Sequence, residues 1–581
     1  MPRPGSRRLA TIALLACAVL VAAIPPTVGA ASNVLYVDGK TGNDGNSGIS
    51  PTSAFKTIAK AAAALPAGSG AAGWTVNVKG YSDYVYRERP IPPGWDRRGT
   101  SSAKITFQAT GYVAGSSTAY VKPIVSGADA VSPTSWTSHA SGIWKAPWAT
   151  TPFNYGTYSG SIKTALFQNT TTWLWEQTSL SALGSRAAAG KGGYWYDTKN
   201  KVIYASLVGS STDPRKNRID VITRAAFYFM GSNGVSNVAV RGFEVRNSAN
   251  GISFAKGVDG SVAADNVLTG NLMMGIATSG GQTNGVPDPA TGNTISRNRG
   301  SYNTFQLIKV DEGSTNSTYC DNVAWNNGMQ GIKVSGPASG SSYTGSTTGI
   351  TVCRNTLHDN DFNPTGSVYN NAPGLLITNG AKNVTADSNV IYGNDVGIHI
   401  SQESSGRAVM DGIALKHNKI YDNRRFGINF YDGAYGSTTG AGKMRSDYDV
   451  LWGNGIGIQV SRASTNKTIA HATIHDNLGE GLKIGEANVT GAKATVSATL
   501  VTNNGGYGLW LVTGSSATAS YSAFSGNALG SIKGSPSKTA VNTQAAGYLS
   551  TSPSNSSFLK ISSSSYQYTA GSGGSPIGAR Y

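Results

Sequence analysis

Two stretches of the chain, VTADSNVIYGNDVGIHI (384–400) and IALKHNKIYDNRRFGINF (413–430), share one pattern that decides the fold. In each stretch a first asparagine is followed five residues later by a second one, and a glycine-isoleucine pair comes shortly afterwards. Apolar and polar residues alternate in short runs around the asparagines, as they do in half-buried β-strands joined by tight turns. Each stretch therefore predicts short strands separated by two turns that carry asparagine.

The pattern repeats along most of the chain, and its period identifies a solenoid. The glycine that precedes isoleucine or leucine recurs at Gly251, Gly275, Gly331, Gly374, Gly397, Gly427, Gly457, Gly481 and Gly508. The main asparagine series is Asn247, Asn271, Asn303, Asn327, Asn360, Asn394, Asn423, Asn454, Asn477, Asn504 and Asn527, and the second series is Asn266, Asn298, Asn322, Asn355, Asn389 and Asn418. Units of roughly two dozen residues bury their apolar side only by stacking on one another, whereas propeller blades need about 40 residues. We therefore predict an all-β fold, a right-handed parallel β-helix, with asparagine amides bonded from coil to coil.

The ends of the chain differ from this repeat and suggest five regions. Arg3, Arg7 and Arg8 precede an apolar run, which predicts a secretory signal peptide over 1–30 and an extracellular protein. We expect an N-terminal cap over 31–72 with a helix from Thr57 to Leu65, and early coils with inserted β-hairpins over 73–230. The regular β-helix is expected over 231–533, and a C-terminal cap with a loose Ser/Gly-rich tail over 534–581.

The charge of the chain indicates the kind of partner. The net charge is +17, and loss of three arginines with the signal segment would leave +14. No later segment has the ~18 apolar residues of a membrane span, and no nucleic-acid-binding motif is present. A secreted basic monomer is expected to meet an anionic polysaccharide, although a basic surface that only confers solubility is the alternative.

Two cysteines remain after the signal segment, and the repeat places them side by side. Cys320 and Cys353 each stand two residues before a member of the second asparagine series. In-register coils place such positions ~4.8 Å apart, within the range that a disulfide tolerates. Export permits oxidation, but the spacing alone leaves open whether the bond forms.

A column of outward-facing residues follows the isoleucine of each pair, because its two neighbours in the strand point inward. The column reads Ser253, Ala277, Lys309, Lys333, Leu376, His399, Asn429, Gln459, Lys483 and Trp510. It stacks Lys309 and Lys333 in consecutive coils. One cation would lower the pKa of the other by roughly two units at ~5 Å before solvent screening, which suits a general base that removes a proton beside a uronate carboxylate.

Other residues near this column complete a candidate site. We expect Tyr431 to protonate the leaving oxygen if a loop shortens its path, and His399 to lie ~10 Å from Lys333, about one sugar subsite away. The expected substrate-binding residues are His399, Arg424, Arg425, Asn429 and Asp432. Asp311 and Glu312 either offset the charge of Lys309 or hold a metal ion.

Two motifs, YVDGKTGNDGNSG (36–48) with SPTSAFKTIAKA (50–61) and NNGMQGIKVSG (326–336), resemble the secreted β-helix polysaccharide lyases, in particular the family-nine pectate lyases. The first is similar to the start of that family, and the second to the stretch that carries its lysine base. The resemblance implies a polysaccharide lyase with Lys333 as the base. The family binds calcium through aspartates in the preceding coil, where this chain reads NTFQLIKVDEG (303–313). The family's aspartate cluster is not recognisable there, so the resemblance implies either calcium held by Asp311 and Glu312 or no cofactor.

Two other functions stay open. A glycoside hydrolase needs two carboxylates roughly 5 to 9.5 Å apart, but Asp311 and Asp432 are four coils apart, ~19 Å by strand spacing. Only an acid on a loop, such as Asp361, would complete a closer pair. A non-catalytic glycan-binding or cell-surface protein needs the positive face and aromatic residues but no catalytic lysine.

Overall fold

The strands of the chain stack in register into three long parallel sheets, which together form the walls of a β-helix. The computed structural model describes residues 33–153, 165–283, 286–337, 345–360, 372–403, 408–432 and 442–579. The predicted signal peptide and Asp361 lie outside these ranges. Each turn of the coil is here called a rung, and in the regular part of the coil every rung contributes to all three sheets.

Sheet 1 begins with the first strand of the compact unit that starts at Val34. Its strands are Val34–Val37, Thr75–Val78, Ile105–Ala109, Val238–Arg241, Val262–Ala264, Ala290–Thr291, Thr294–Ser296, Ser314–Thr315, Thr318–Cys320, Thr348–Cys353, Lys382–Asp387, Ile413–Lys416, Met444–Asp447, Lys467–Ala470, Lys493–Ser497, Ser516–Ser520 and Ser537–Thr539.

Sheet 2 carries the glycine-isoleucine pairs. Its strands are Phe227–Met230, Ile252–Ala255, Ile276–Ser279, Gln306–Asp311, Gln330–Ser335, Pro373–Thr378, Val396–Ser401, Phe426–Tyr431, Ile456–Val460, Leu482–Ile484, Tyr507–Leu511 and Gly530–Lys533. Sheet 3 is formed by Val85–Arg87, Ile124–Ser126, Glu244–Arg246, Val267–Thr269, Arg299–Ser301, Val323–Trp325, Thr356–His358, Val390–Tyr392, Lys419–Tyr421, Val450–Trp452, Thr473–His475, Leu500–Thr502 and Ala523–Ser525.

The two asparagine series form hydrogen-bonded ladders inside the turns, as the sequence predicts. The Asn389 side chain donates to Asn418 Oδ1 at 2.9 Å, and the Asn423 side chain donates to Asn454 Oδ1 at 2.9 Å. The ladder residues are buried, so these bonds satisfy amides that would otherwise lose their water partners. Asn247 differs from the prediction: Ser248 holds the ladder position below Asn271, and the Asn247 side chain donates instead to the carbonyl oxygens of Thr170 and Gly270.

Glycine recurs before isoleucine because the backbones of successive rungs approach closely there. A Cβ on Gly397 would lie 2.5 Å from the Gly427 carbonyl oxygen, and one on Gly427 would lie 2.6 Å from that of Gly457. The following isoleucines, such as Ile398 and Ile428, are fully buried in a single apolar core that runs through the coil. The repeating pair therefore combines a close backbone contact with a core side chain.

A helix and an inserted sheet accompany the first rungs. The predicted helix is present as Ile58–Ala64, with Thr57 as its N-cap. An inserted sheet contains the strands Ala128–Ala130, Thr137–Ala140, Ile143–Pro147, Leu166–Gln168, Thr172–Glu176, Gly193–Asp197, Val202–Ser206 and Ile219–Ile222. The two predicted hairpins lie within this sheet, and a second helix, Leu180–Ala188, which the sequence reading missed, joins them.

The remaining elements are short. A two-stranded antiparallel ribbon pairs Gly281–Thr283 with Val286–Asp288. Short 3₁₀ helices occupy Pro51–Ser53, Gly68–Ala71, Pro133–Ser135, Gly231–Asn233, Tyr566–Tyr568 and Ser572–Gly574. In the ranges described, no helix has both the length and the apolar character needed to span a bilayer.

The C-terminal segment is not the loose tail that its composition predicts. It runs back along sheet 3, where Phe558 packs edge-on against Trp452 and the backbone amide of Gly578 donates to the Ala498 carbonyl at 2.8 Å. Apolar side chains thus anchor a Ser/Gly-rich segment whose composition alone suggests no core.

The two cysteines are joined by a disulfide bond. Cys320 and Cys353 are register partners in sheet 1, and their Cα atoms are 4.5 Å apart. The predicted proximity is confirmed, and the question that the spacing left open is answered in favour of the bond.

Candidate functional site

The predicted outward column exists in sheet 2. Register pairs link Ser253, Ala277, Lys309, Lys333, Leu376, His399, Asn429, Gln459, Lys483 and Trp510 in that order, and Tyr228 and Lys533 extend the column at its two ends. The middle of the column, represented by His399, Asn429 and Gln459, is buried even though these side chains point away from the core. This buried middle separates two partly exposed places on the column, one at the lysine pair and the other near the C-terminal end.

Lys309 and Lys333 are direct register partners and form the first open place. Their side chains are 18 % and 17 % exposed. Lys309 Nζ lies 2.5 Å from Asp311 Oδ2, whereas Lys333 Nζ lies 3.4 Å from Glu403 Oε2. Each ammonium group thus has a carboxylate partner that offsets the expected repulsion between the two lysines. The sequence suggested Asp311 for this role but did not suggest Glu403 as the partner of Lys333.

The lysine pair lies beside an apolar wall that the sequence analysis did not predict. Met273, Met274, Phe305 and Met329 line a pocket of about 50 Å³ with Gln306 and the two lysines. This volume is far below the ~300–1,000 Å³ of ordinary small-molecule pockets. The pocket is therefore too small to enclose a small molecule of ordinary size.

The inserted sheet positions this wall. Met273 and Met274 pack in the same buried cluster as Trp173 of the inserted sheet. The Trp173 indole also donates to the Tyr302 carbonyl at 2.9 Å, which ties the insertion to the rung that leads into Lys309. No periodic signal in the sequence links these segments, because the contacts are between the repeat and a non-repetitive insertion.

His399 lies two rungs from Lys333, ~10 Å by strand spacing, but it is only 5 % exposed. Burial lowers the pKa of its imidazole to about 4, with a further contribution from the positive charge of Arg425. The ring is therefore neutral at pH 7, and its buried Nδ1 has no hydrogen-bond partner among the described residues. The structure places His399 in the wall between the two open places, so the expected open contact with substrate is not formed there.

Tyr431 adjoins His399 and is directed away from the lysines. The two ring centroids are 5.9 Å apart, and Tyr431 Oη accepts a hydrogen bond from Arg462 Nε at 2.8 Å. Tyr431 lies three rungs from Lys333, ~14 Å by strand spacing. The path that the predicted proton donor needed is not shortened in the described residues.

The other predicted binding residues are engaged with protein groups. Arg424 and Arg425 both form ion pairs with the buried carboxylate of Asp395, at 2.7 and 2.8 Å. Asn429 is buried, and its Oδ1 accepts from Ser461 Oγ at 2.9 Å.

Asp432 differs most from the prediction. Its carboxylate is buried and lies 2.8 Å from Nζ of Lys467, whose side chain is fully buried. Burial raises the pKa of Asp432 and lowers that of Lys467, while the charge of each opposes the change in the other. A buried pair of this kind belongs to the interior of the fold, so Asp432 is not a surface contact for substrate.

The predicted metal ligands do not fit calcium. Ca²⁺ requires six to eight oxygen ligands, whereas the Asp311 carboxylate is already held by the ammonium group of Lys309. No group of three or more acidic, histidine or cysteine side chains close enough to hold a metal is present in the described ranges. We therefore derive no chemical step through a metal ion.

Comparisons with known proteins support the architecture. The family described as "Right handed beta helix region" matches residues 228–412 and 408–528, which together exceed half of the chain. No curated protein matches the sequence. Among solved structures, the chain is similar to "The complex structure of XylC with xylose", with 14% identity over 87% of this chain and 86% of that chain and a TM-score of 0.53.

Two further structures are less similar. The Azotobacter vinelandii mannuronan C-5 epimerase AlgE4 A-module has 15% identity over 55% of this chain and 82% of that chain, with a TM-score of 0.37. The GH136 lacto-N-biosidase from Eubacterium ramulus has 12% identity over 86% of this chain and 67% of that chain, with a TM-score of 0.42. At such identities the likeness to XylC shows a shared fold, and the other two add no argument about activity.

Proposed function

Because the chain belongs to the right-handed β-helix family, we propose that it is a polysaccharide lyase that cleaves a uronate-containing polymer by β-elimination. The observation that carries the proposal is the lysine pair: two ammonium groups in register on one face, partly exposed beside an apolar wall. The net charge of +17 favours the approach of an anionic polymer.

The two lysines have different surroundings, which suggests different roles. Asp311 holds Lys309 at 2.5 Å and keeps it as a fixed positive charge, suited to neutralise the carboxylate of the uronate. Lys333 is held more loosely by Glu403, at 3.4 Å from a carboxylate side chain that is 39 % exposed. This looser contact suits Lys333 to the role of base, because its amine must leave Glu403 in order to reach the substrate.

The elimination then balances with these residues alone. Neutral Lys333 takes the proton from C5 of the uronate, the C5–H electrons form the C4–C5 double bond, and the C4–O bond breaks. In a syn elimination Lys333 returns that proton to the leaving oxygen, because Tyr431 is ~14 Å away by strand spacing. The products are a new chain end and an unsaturated uronate.

Spectroscopy on a panel of polymers tests the proposal. We expect alginate, pectate or a glycosaminoglycan to give the ultraviolet absorbance of an unsaturated uronate with the wild-type protein, and at least 100-fold slower product formation with Lys333→Ala, as is typical for loss of a general base. Lys493→Ala, which removes an exposed lysine of sheet 1, is the matched control. Equal rates in Lys333→Ala and wild type would exclude Lys333 as the base.

A non-catalytic glycan-binding protein is the competing proposal, because the same positive face and wall would hold a polymer without cleaving it. Binding to polyuronates with no product on any of them would favour that function. A hydrolase is less well supported, since Asp432 is buried against Lys467 and cannot pair with Asp311 across the face.

A further inference from the structure

The C-terminal end of the outward column carries a second cationic group. Lys483, Trp510 and Lys533 occupy consecutive positions of the column in sheet 2. Lys483 Nζ lies 4.6 Å from the centroid of the Trp510 ring, and Lys533 Nζ lies 4.3 Å from the same centroid. Lys533 is also 5.1 Å from the ring of Tyr507. One indole thus separates two ammonium groups.

Among the described residues, these lysines differ from the first pair in having no carboxylate partner. Lys309 and Lys333 are each paired with an acid, but within the described part of the chain no acidic oxygen lies in ion-pair range of Lys483 or Lys533. A cation–π contact at an exposed position leaves the ammonium charge uncompensated. Two uncompensated charges on one face form a binding surface for an anion.

The spacing of the two lysines indicates an extended anion. Their backbones are two rungs apart, ~10 Å by strand spacing, and their ammonium groups are less than about 9 Å apart because both lie close to the Trp510 ring. This separation is comparable to that of carboxylates on alternate residues of an extended 1,4-linked polyuronate. The apolar edge of Trp510 lies between them, where it can contact the C–H groups of the intervening sugar.

We propose that Lys483, Trp510 and Lys533 form a second binding site for an anionic polysaccharide, distant from the lysine pair. The identity of its ligand rests on the proposed function. Lys483 lies five rungs from Lys333, ~24 Å by strand spacing, and the column between them is buried at His399, Asn429 and Gln459. A long polymer can therefore occupy both open places at once, whereas a short oligosaccharide occupies one.

Simultaneous occupation predicts tighter binding of long chains. When one site holds the polymer, the effective concentration of the rest of the chain at the other site rises, and affinity increases without any new contact. Loss of the second site should therefore weaken binding of a long polyuronate strongly and binding of a short one at the lysine pair hardly at all.

Affinity electrophoresis and tryptophan fluorescence, both in the Lys333→Ala background that prevents cleavage, test the second site. We expect Lys483→Gln with Lys533→Gln to bind a long polyuronate about tenfold more weakly, and Trp510→Leu to show a smaller loss. The matched control is Lys493→Gln with Lys538→Gln, which removes the same charge from exposed positions of sheet 1. Neutral dextran should bind to none of these proteins.

Each outcome decides one of the two proposals. An equal loss in the control pair, no loss in the Lys483 and Lys533 pair, or equal binding of dextran would overturn the second site. Absence of unsaturated product from wild-type protein, together with binding that depends on Lys483 and Lys533, would refute the lyase and support the second site. Cleavage by wild type without that dependence would leave only the lyase.

Discussion

Asp449 offers a sharp test of how the ladder stabilises the coil. It occupies the rung after Asn418 in the second asparagine series, and its Oδ1 accepts from the backbone and side-chain nitrogens of Asn418, both at 2.8 Å. Ser446 Oγ donates to its Oδ2 at 2.6 Å. Burial raises the pKa of Asp449 from 3.8 to about 6, and the hydrogen bonds only partly oppose this. The folded protein therefore prefers a protonated carboxyl at a place where the other rungs carry a neutral amide.

The sign and size of the effect follow from this pKa. Between pH 3.8 and about 6 the unfolded chain has released a proton that the folded protein retains, so the unfolding free energy falls as the pH rises through that window. The full cost, about 3 kcal/mol, is present above pH 6. Asp449→Asn keeps the acceptor for Asn418 and removes the ionisable group, so it should recover up to that amount at pH 8 and nothing at pH 3.

Thermal unfolding followed by circular dichroism at pH 3 and pH 8 measures the effect. For a chain of this length, about 3 kcal/mol corresponds to a rise in Tm of roughly 2–3 °C. Asp476→Asn, at an exposed turn position, is the matched control and should leave Tm unchanged at both pH values. If Asp449→Asn lowers Tm at pH 8, or raises it equally at both pH values, then ionisation of the buried Asp449 carboxyl does not lower the unfolding free energy as argued.

Three further outcomes are expected. Glu403→Gln removes the carboxylate beside Lys333, so KM for a polyuronate should fall because one repulsive negative charge is lost. A KM that is unchanged or higher would contradict a contact between the substrate and the Lys333 ammonium group. His399 has a pKa of about 4 in the folded protein against 6.5 when exposed, so the unfolding free energy should fall by about 3 kcal/mol as the pH drops from 6.5 to 4. His399→Asn should make the unfolding free energy less dependent on pH in this range. Urea titrations of both proteins at several pH values measure the difference. Because the Asp311 carboxylate is paired with Lys309 and so is not free to bind a metal ion, EDTA should leave the cleavage rate within twofold of the untreated rate. A complete loss of cleavage that calcium restores would show that a metal ion takes part.

The fold was accessible from the sequence because its signals repeat. Each glycine before isoleucine marks a close backbone contact, and each ladder asparagine marks a buried turn, so one rung predicts the register of the next. The stacking of Lys309 on Lys333 and the proximity of Cys320 to Cys353 follow from that register alone.

The parts of the site that were missed have no period. Glu403 reaches Lys333 from a segment two rungs away, and the wall of Met273 and Met274 depends on packing against an insertion. Asp432, which was expected to contact substrate, instead forms a buried pair with Lys467. Such contacts depend on how irregular segments pack, which local alternation does not encode.

The in-register stacking of sheet 2 also limits which distances between the two cationic groups of its column are possible. Each rung advances the coil by one strand spacing, ~4.8 Å, and a single residue added within a strand would turn every later side chain to the opposite face. Only the gain or loss of an entire rung preserves the direction in which both cationic groups point. The length of polymer that can bridge them is therefore adjustable in fixed increments, and duplication of one repeat would lengthen it by one such increment.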